Sequence, residues 1–118
     1  MIKIEISMKL PSLNQYINAC RTKAILGANM KRRVEDDISW YIKPMPRFTK
    51  PIKIKFTWIE ENKRRDLDNI CFGKKFILDA MVRAGKLKDD NRNYVIGFED
   101  KFIYAKENKV ILEIYEQE

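Results

Sequence analysis

The chain has 118 residues, with 24 Lys and Arg against 17 Asp and Glu, a formal net charge of +7, two cysteines and no histidine. That length suits one compact domain, 1–118, able to bury about two thirds of its unfolded surface without staples. The missing histidine excludes Ser-His-Asp and Cys-His catalysis, HNH-type nucleases and histidine-ligated metals. Cys20 and Cys71 are too isolated for a disulfide framework or a zinc site, and no run approaches the ~18 apolar residues of a membrane span, so a cytoplasmic setting without membrane contact is expected.

Residues 2–8 alternate Ile2, Ile4, Ile6 and Met8 with Lys3, Glu5 and Ser7, the period of a half-buried strand. Pro11 breaks it, and Ser12 is placed to cap a short helix over Leu13 to Ala19. Asn29 is placed to cap a longer helix to about Ile42, with Met30, Val34, Ile38, Tyr41 and Ile42 at helical spacing. Along it, Lys31/Glu35, Arg32/Asp36 and Arg33/Asp37 are opposite-charge pairs at i,i+4. The acidic run Glu35-Asp36-Asp37 is therefore expected to be a solvated, internally paired face.

Pro44, Pro46 and Pro51 mark a loop. Ile52, Ile54, Phe56 and Trp58 then alternate with Lys53, Lys55 and Thr57, a second strand with a basic face. Residues 60–66 are a charged connection. Asn69 to Ala84 carries the strongest helical pattern, with Gly85 as its C-terminal cap. Residues 94–104 and 109–116 read as a closing hairpin with Glu107-Asn108 in the turn. The sum is a small α+β domain, a mixed or antiparallel sheet with flanking helices and no linker.

The chemistry concentrates in Lys63-Arg64-Arg65-Asp66-Leu67-Asp68-Asn69 and in Asp89-Asp90 after the predicted helix. A basic chain attracts polyanions, nucleic acid first. Asp66 and Asp68 share a face in extended chain, and the cassette lies where extended chain turns into helix. Asp68 is expected near the helix N-cap and Asp66 just upstream, with Asp89 and Asp90 folding back toward them. Carboxylate oxygens suit hard ions such as Mg²⁺ or Mn²⁺, which can activate water against a phosphodiester. Each piece also has an ordinary reading: Asp68 as an N-cap, Asp66 paired with Arg64 or Arg65, Asp89-Asp90-Asn91 as a turn.

Helical phasing from Asp68, at about 100° per residue, puts Lys75, Asp79 and Arg83 on one stripe and Ile70, Ile77, Met81 and Ala84 on the opposite side. Lys74 points into the apolar half and must snorkel. Lys75 is then the site lysine, able to hold a phosphate, or else a plain surface partner of Asp79.

At these residues the chain resembles the RusA family of Holliday-junction resolvases. The resemblance rests on Pro11-Ser12-Leu13-Asn14, Arg65-Asp66-Leu67-Asp68-Asn69, Lys75-Phe76-Ile77-Leu78-Asp79-Ala80-Met81, Ala84-Gly85 and Leu87-Lys88-Asp89-Asp90, in that order over nearly the whole chain. It implies a homodimeric, Mg²⁺- or Mn²⁺-dependent endodeoxyribonuclease, bacterial or phage-encoded. Such an enzyme resolves four-way DNA junctions by paired symmetric nicks in recombination and repair. It implies Asp66, Asp68 and Asp90 as catalytic metal ligands and Lys75 as the active-site lysine, although Ile70 to Lys74 make the Asp68–Lys75 gap about three residues longer than in the family. Asp89 is expected to assist.

DNA contacts are expected from Lys63, Arg64, Arg65 and Lys75, with Lys53, Lys55, Arg21 and Lys23 extending the footprint. Asn14 is a candidate support residue. Competing readings are a nuclease for flaps or forks, a non-catalytic DNA-binding protein and, weakly, a DxD transferase.

Overall fold

The computed structural model describes residues 1–118. In chain order the elements are β1 (Ile2–Ile6), α1 (Leu13–Thr22), α2 (Ala24–Tyr41), β2 (Ile52–Glu60), α3 (Leu67–Cys71), α4 (Gly73–Arg83), β3 (Val95–Tyr104) and β4 (Lys109–Glu116). The sheet order is β1-β4-β2-β3, with β2 parallel to β3 and antiparallel to β4. The fold is α+β with a mixed sheet, as the sequence predicts. No helix is long and apolar enough to cross a membrane.

The predicted hairpin of the last two strands does not form. β3 and β4 flank β2 on opposite sides. β2 is the most buried strand, with Ile52, Ile54, Phe56, Trp58 and Ile59 all inside, so its backbone N–H and C=O groups must be paired along both edges, and β3 and β4 pair them. β2 leads through α3 and α4 into β3, and a crossover of that length produces a parallel pair. The connection from β3 to β4 then crosses the end of β2. It is pinned there by Ala105 N–H to the Glu60 carbonyl and by Glu61 N–H to Asn108 Oδ1.

One cluster of 23 buried residues fills the space between one sheet face and the helices. β2 contributes Phe56 and Trp58, stacked at 5.4 Å between centroids; α2 contributes Ile38 and Ile42; α4 contributes Phe76, Ile77 and Met81. The opposite sheet face carries Lys53, Lys55, Glu99, Lys101, Glu113 and Tyr115 and has no helix over it. This is a two-layer solution for elements that are each apolar on one side.

α1 starts as predicted. Ser12 Oγ accepts the Gln15 N–H while Gln15 reaches back to the Ser12 N–H, a complete capping box. α2 begins at Ala24, five residues before the expected Asn29 cap, because it continues from α1 after a single extended residue, Lys23.

The expected single helix over Asn69–Ala84 is two helices jointed at Phe72. Gly73 packs tightly just after the joint: a Cβ there would lie 2.8 Å from Leu10 Cδ1 and 3.2 Å from a Trp58 ring carbon, so a larger residue would have to push Leu10 aside. α4 closes with Gly85 at φ +77°, Lys86 N–H on the Met81 carbonyl and Gly85 N–H on the Val82 carbonyl, a Schellman cap as the sequence predicts.

Candidate active site

The cassette occupies the connection after β2 and the first turn of α3. Asp66, rather than Asp68, is the N-cap of α3, with φ −69° and ψ 156°. The register is set by Ile70 N–H on the Asp66 carbonyl, two residues earlier than the sequence suggests. Asp66 makes no capping hydrogen bond, so its carboxylate is unengaged. Asp68 lies in the first turn, exposed, and its Oδ1 accepts only the adjacent Asn69 N–H at 3.0 Å. Neither carboxylate forms an ion pair, although three cations precede them in the chain.

The nearest of those cations is engaged elsewhere. Arg65 Nε and Nη2 grip the two Glu60 oxygens at 2.8 and 2.7 Å, and Nη1 donates to the Leu10 carbonyl at 2.7 Å. Arg65, a DNA contact in the sequence reading, turns its fork inward, where it ties the cassette to Glu60 and Leu10. Lys63 and Arg64 are exposed and free of ion pairs, with Lys63 Nζ 5.7 Å from the Tyr104 ring. Asn14 contributes its backbone N–H to Asn69 Oδ1 at 3.0 Å, which ties the start of α1 to the cassette.

The second half of the site lies on α4 and the loop after it. Lys75 Nζ stands 3.2 Å from Asp79 Oδ1 and 3.7 Å from Asp90 Oδ2. Lys74 turns the other way, to Asp100 Oδ2 at 2.8 Å and over the Phe98 ring at 4.4 Å, the snorkelling the phasing predicts. Asp89 builds the turn: its oxygens accept the Asp90 N–H and the Asn91 side-chain amide. That leaves Asp90 aimed back at α4.

Lys75 belongs to a longer chain of alternating charge. Asp36 meets Arg83 at 2.7 Å, and Arg83 approaches Glu35 at 3.8 Å. Lys31 joins Glu35 at 2.6 Å to Asp79 at 2.9 Å, and Lys75 joins Asp79 to Asp90. The expected solvated face Glu35-Asp36-Asp37 is therefore corrected at Glu35, which is 7% exposed and central to this network. Of the three i,i+4 pairs only Lys31–Glu35 forms, because the packing of α2 on α4 offers Asp36 the guanidinium of Arg83. The sequence carries no signal for Lys31–Asp79, a contact across 48 residues.

Burial alone would raise the carboxyl of Asp79, but the ammonium groups of Lys31 and Lys75 outweigh it and hold the group below its ordinary value. Asp90 is pushed up, by burial first and then by sharing a hydrogen bond with Asp79, against the pull of Lys75. The sign of the stability effect follows. A raised value favours the protonated form in the fold, so the contribution is present at low pH and lost as pH rises through the folded value. Asp90→Asn should thus melt higher than the parent at pH 7 in EDTA, with the gap closing as the pH falls below the carboxylate range. Thermal melts at both ends check this.

The sequence-predicted residues fall into four places. Asp66, Asp68, Lys63 and Arg64 gather at the start of α3; Lys75, Asp89 and Asp90 gather at α4 with Asp79 and Lys31. Lys53 and Lys55 are not brought to either. They project from the open sheet face, where Lys55 sits beside Glu99 and Glu113 in register. Arg21 and Lys23 are exposed around the joint between α1 and α2, Arg21 in the last turn of α1.

No three carboxylates or thiols converge to hold an ion directly. The donor chemistry nonetheless fits a hard divalent cation: two unengaged carboxylates in the cassette, and a third, Asp90, crowded against Asp79. A family model described as endodeoxyribonuclease RusA matches residues 5–115 of the chain. No curated protein matches it.

Proposed function

The chain belongs to the RusA family of endodeoxyribonucleases over residues 5–115, and from that membership and the site we propose that it resolves four-way DNA junctions as a divalent-metal-dependent homodimer by paired symmetric nicks. The observation that carries the metal dependence is the state of Asp66 and Asp68. Two carboxylates stand exposed, uncapped and unpaired beside Lys63 and Arg64. Such an arrangement keeps anionic oxygens available next to cations that attract phosphate.

Asp66, Asp68 and Asp90 would hold Mg²⁺ or Mn²⁺, which when bound supplies water activation and neutralises charge at the scissile phosphate. The rest falls to the chain itself. Asp89 fixes the turn that aims Asp90. Asp79 holds the Lys75 ammonium beside Asp90, where it can take a phosphate oxygen as negative charge develops. Lys31 keeps Asp79 ionised and in place. Lys63 and Arg64 hold flanking phosphates, a contribution that weakens with salt. Two scissile phosphates related by a two-fold axis call for two such sites, hence an isologous dimer. This is the activity that recombination and repair in a bacterial or phage genome require.

The test offers labelled four-way junction, linear duplex and flap to the protein with Mg²⁺, Mn²⁺ or EDTA. Paired symmetric nicks in the junction, lost in EDTA, are expected. Preferential flap cutting replaces the substrate assignment, and tight junction binding without cutting under either metal removes the enzymatic one.

A further inference from the structure

A cavity of about 350 Å³ opens beside the cassette, with Asp66 in its wall. One side is the end of β3, Phe102 and Tyr104; the other is α3, Leu67 and Ile70; Asn62 and Lys63 lie among its polar residues. Its volume is at the lower end of small-ligand sites. Two large side chains that line it are left in water, Leu67 at 57% and Tyr104 at 59% exposed. Nothing in the fold covers them, and neither is needed by the chemistry above.

We infer that this cavity takes one unstacked nucleobase of a DNA strand whose phosphate lies at the cassette. The inference deepens the nuclease reading and rests on it. The occupant follows from what surrounds the cavity. Tyr104 presents an aromatic face, and every base has a π-face to lay against it. Lys63 Nζ, 5.7 Å from that ring and in no ion pair, is placed to take the phosphate of the nucleotide whose base is stacked. Leu67, the residue between Asp66 and Asp68, puts the apolar wall next to the carboxylates, so a strand engaged there has its neighbouring base within one nucleotide of the cavity. The chain's charge of +7 complements the strand.

Selectivity for branched DNA is a consequence. Taking a base from intact duplex requires unpairing and unstacking, whereas a base at a branch point is already partly released. The cavity thus rewards a junction and not a linear duplex, without reading sequence.

The test is binding in EDTA, where cutting is stopped. Wild type, Tyr104→Ala and Tyr104→Phe are offered three DNAs: a four-way junction, the same junction with abasic sites at the branch-point nucleotides, and linear duplex. Wild type should bind the intact junction about tenfold tighter than the abasic one, the scale of one base–aromatic stack. Tyr104→Ala should lose that difference and keep duplex binding, and Tyr104→Phe should retain it. Equal wild-type affinity for intact and abasic junctions overturns the proposal, even if Tyr104→Ala proves unstable. So does a Tyr104→Ala protein that still discriminates. In either case metal-dependent junction cutting by wild type leaves the nuclease reading standing. A wild type that neither cuts nor prefers branched DNA refutes that reading, and this proposal with it.

Discussion

An Asp68→Asn protein should fold normally, bind a four-way junction at least as tightly as its parent, and cut it roughly a thousandfold more slowly. The first two outcomes follow from how little Asp68 does for the fold. It is exposed, it pairs with no cation, and its one hydrogen bond goes to the neighbouring Asn69 N–H, which an amide oxygen accepts equally well. Surface changes of this kind stay within about 0.5 kcal/mol. Removing a negative charge beside Lys63 and Arg64 can only favour a phosphate. The third outcome follows from the proposed chemistry. A metal's stabilisation of developing phosphate charge is worth several kcal/mol, and about 1.4 kcal/mol is one decade in rate. Single-turnover cutting in Mg²⁺ and a thermal melt are the measurements. Asp66→Asn should behave alike, since its carboxylate is also unengaged. Asp89→Asn should be milder, because its oxygens accept hydrogen bonds within the turn and an amide keeps one acceptor. Unchanged cutting by Asp68→Asn would remove the cassette from the mechanism.

The same cassette shows what a sequence can and cannot carry. The residue types were legible because carboxylates between basic residues are chemically conspicuous. Strand positions were legible because Ile2–Ile6 and Ile52–Trp58 alternate, and Gly85 was legible because a helix end needs a residue comfortable at φ +77°. Phasing put Lys75 on the Asp79 face and Lys74 on the other, and the two side chains point those ways. Its starting point, an unbroken helix from Asp68, was wrong. Next to the break, Gly73 packs close to Leu10 and Trp58, side chains distant in sequence that no local pattern announces. β3 and β4 failed as a hairpin for a related reason: a short loop is compatible with one, but where the strands go depends on β2 needing two partners. The network through Lys31, Asp79 and Glu35 is tertiary throughout. Local i,i+4 pairing competed with it in the sequence, and the packing of α2 against α4 decided the outcome.

Arg65→Ala should lower stability by about 3 kcal/mol while leaving the salt dependence of junction binding unchanged. As the arginine immediately before two candidate metal ligands, Arg65 invites assignment to DNA. In the structure its fork faces inward. Its side chain is 14% exposed and that of Glu60 11%, and all three contacts of the guanidinium are made inside the fold. Removing it leaves the Glu60 carboxylate largely buried without its partner and the Leu10 carbonyl without a donor, and an uncompensated charge of that kind dominates the loss. Lysine should not rescue, since an ammonium cannot make the two parallel bonds to Glu60 while reaching Leu10. The double change Glu60→Leu with Arg65→Met should recover most of the stability, because neither residue then leaves a charge behind. A phosphate contact predicts the opposite pattern: stability unchanged, junction affinity reduced, and the slope of binding against salt lower by about one. Chemical denaturation and a salt titration on the same protein separate the two. Because the pair sits between the end of β2 and the start of α1, its loss should also slow cutting through displacement of Asp66 and Asp68. That part of the defect should shrink on cooling, as it would not if Arg65 touched the scissile strand.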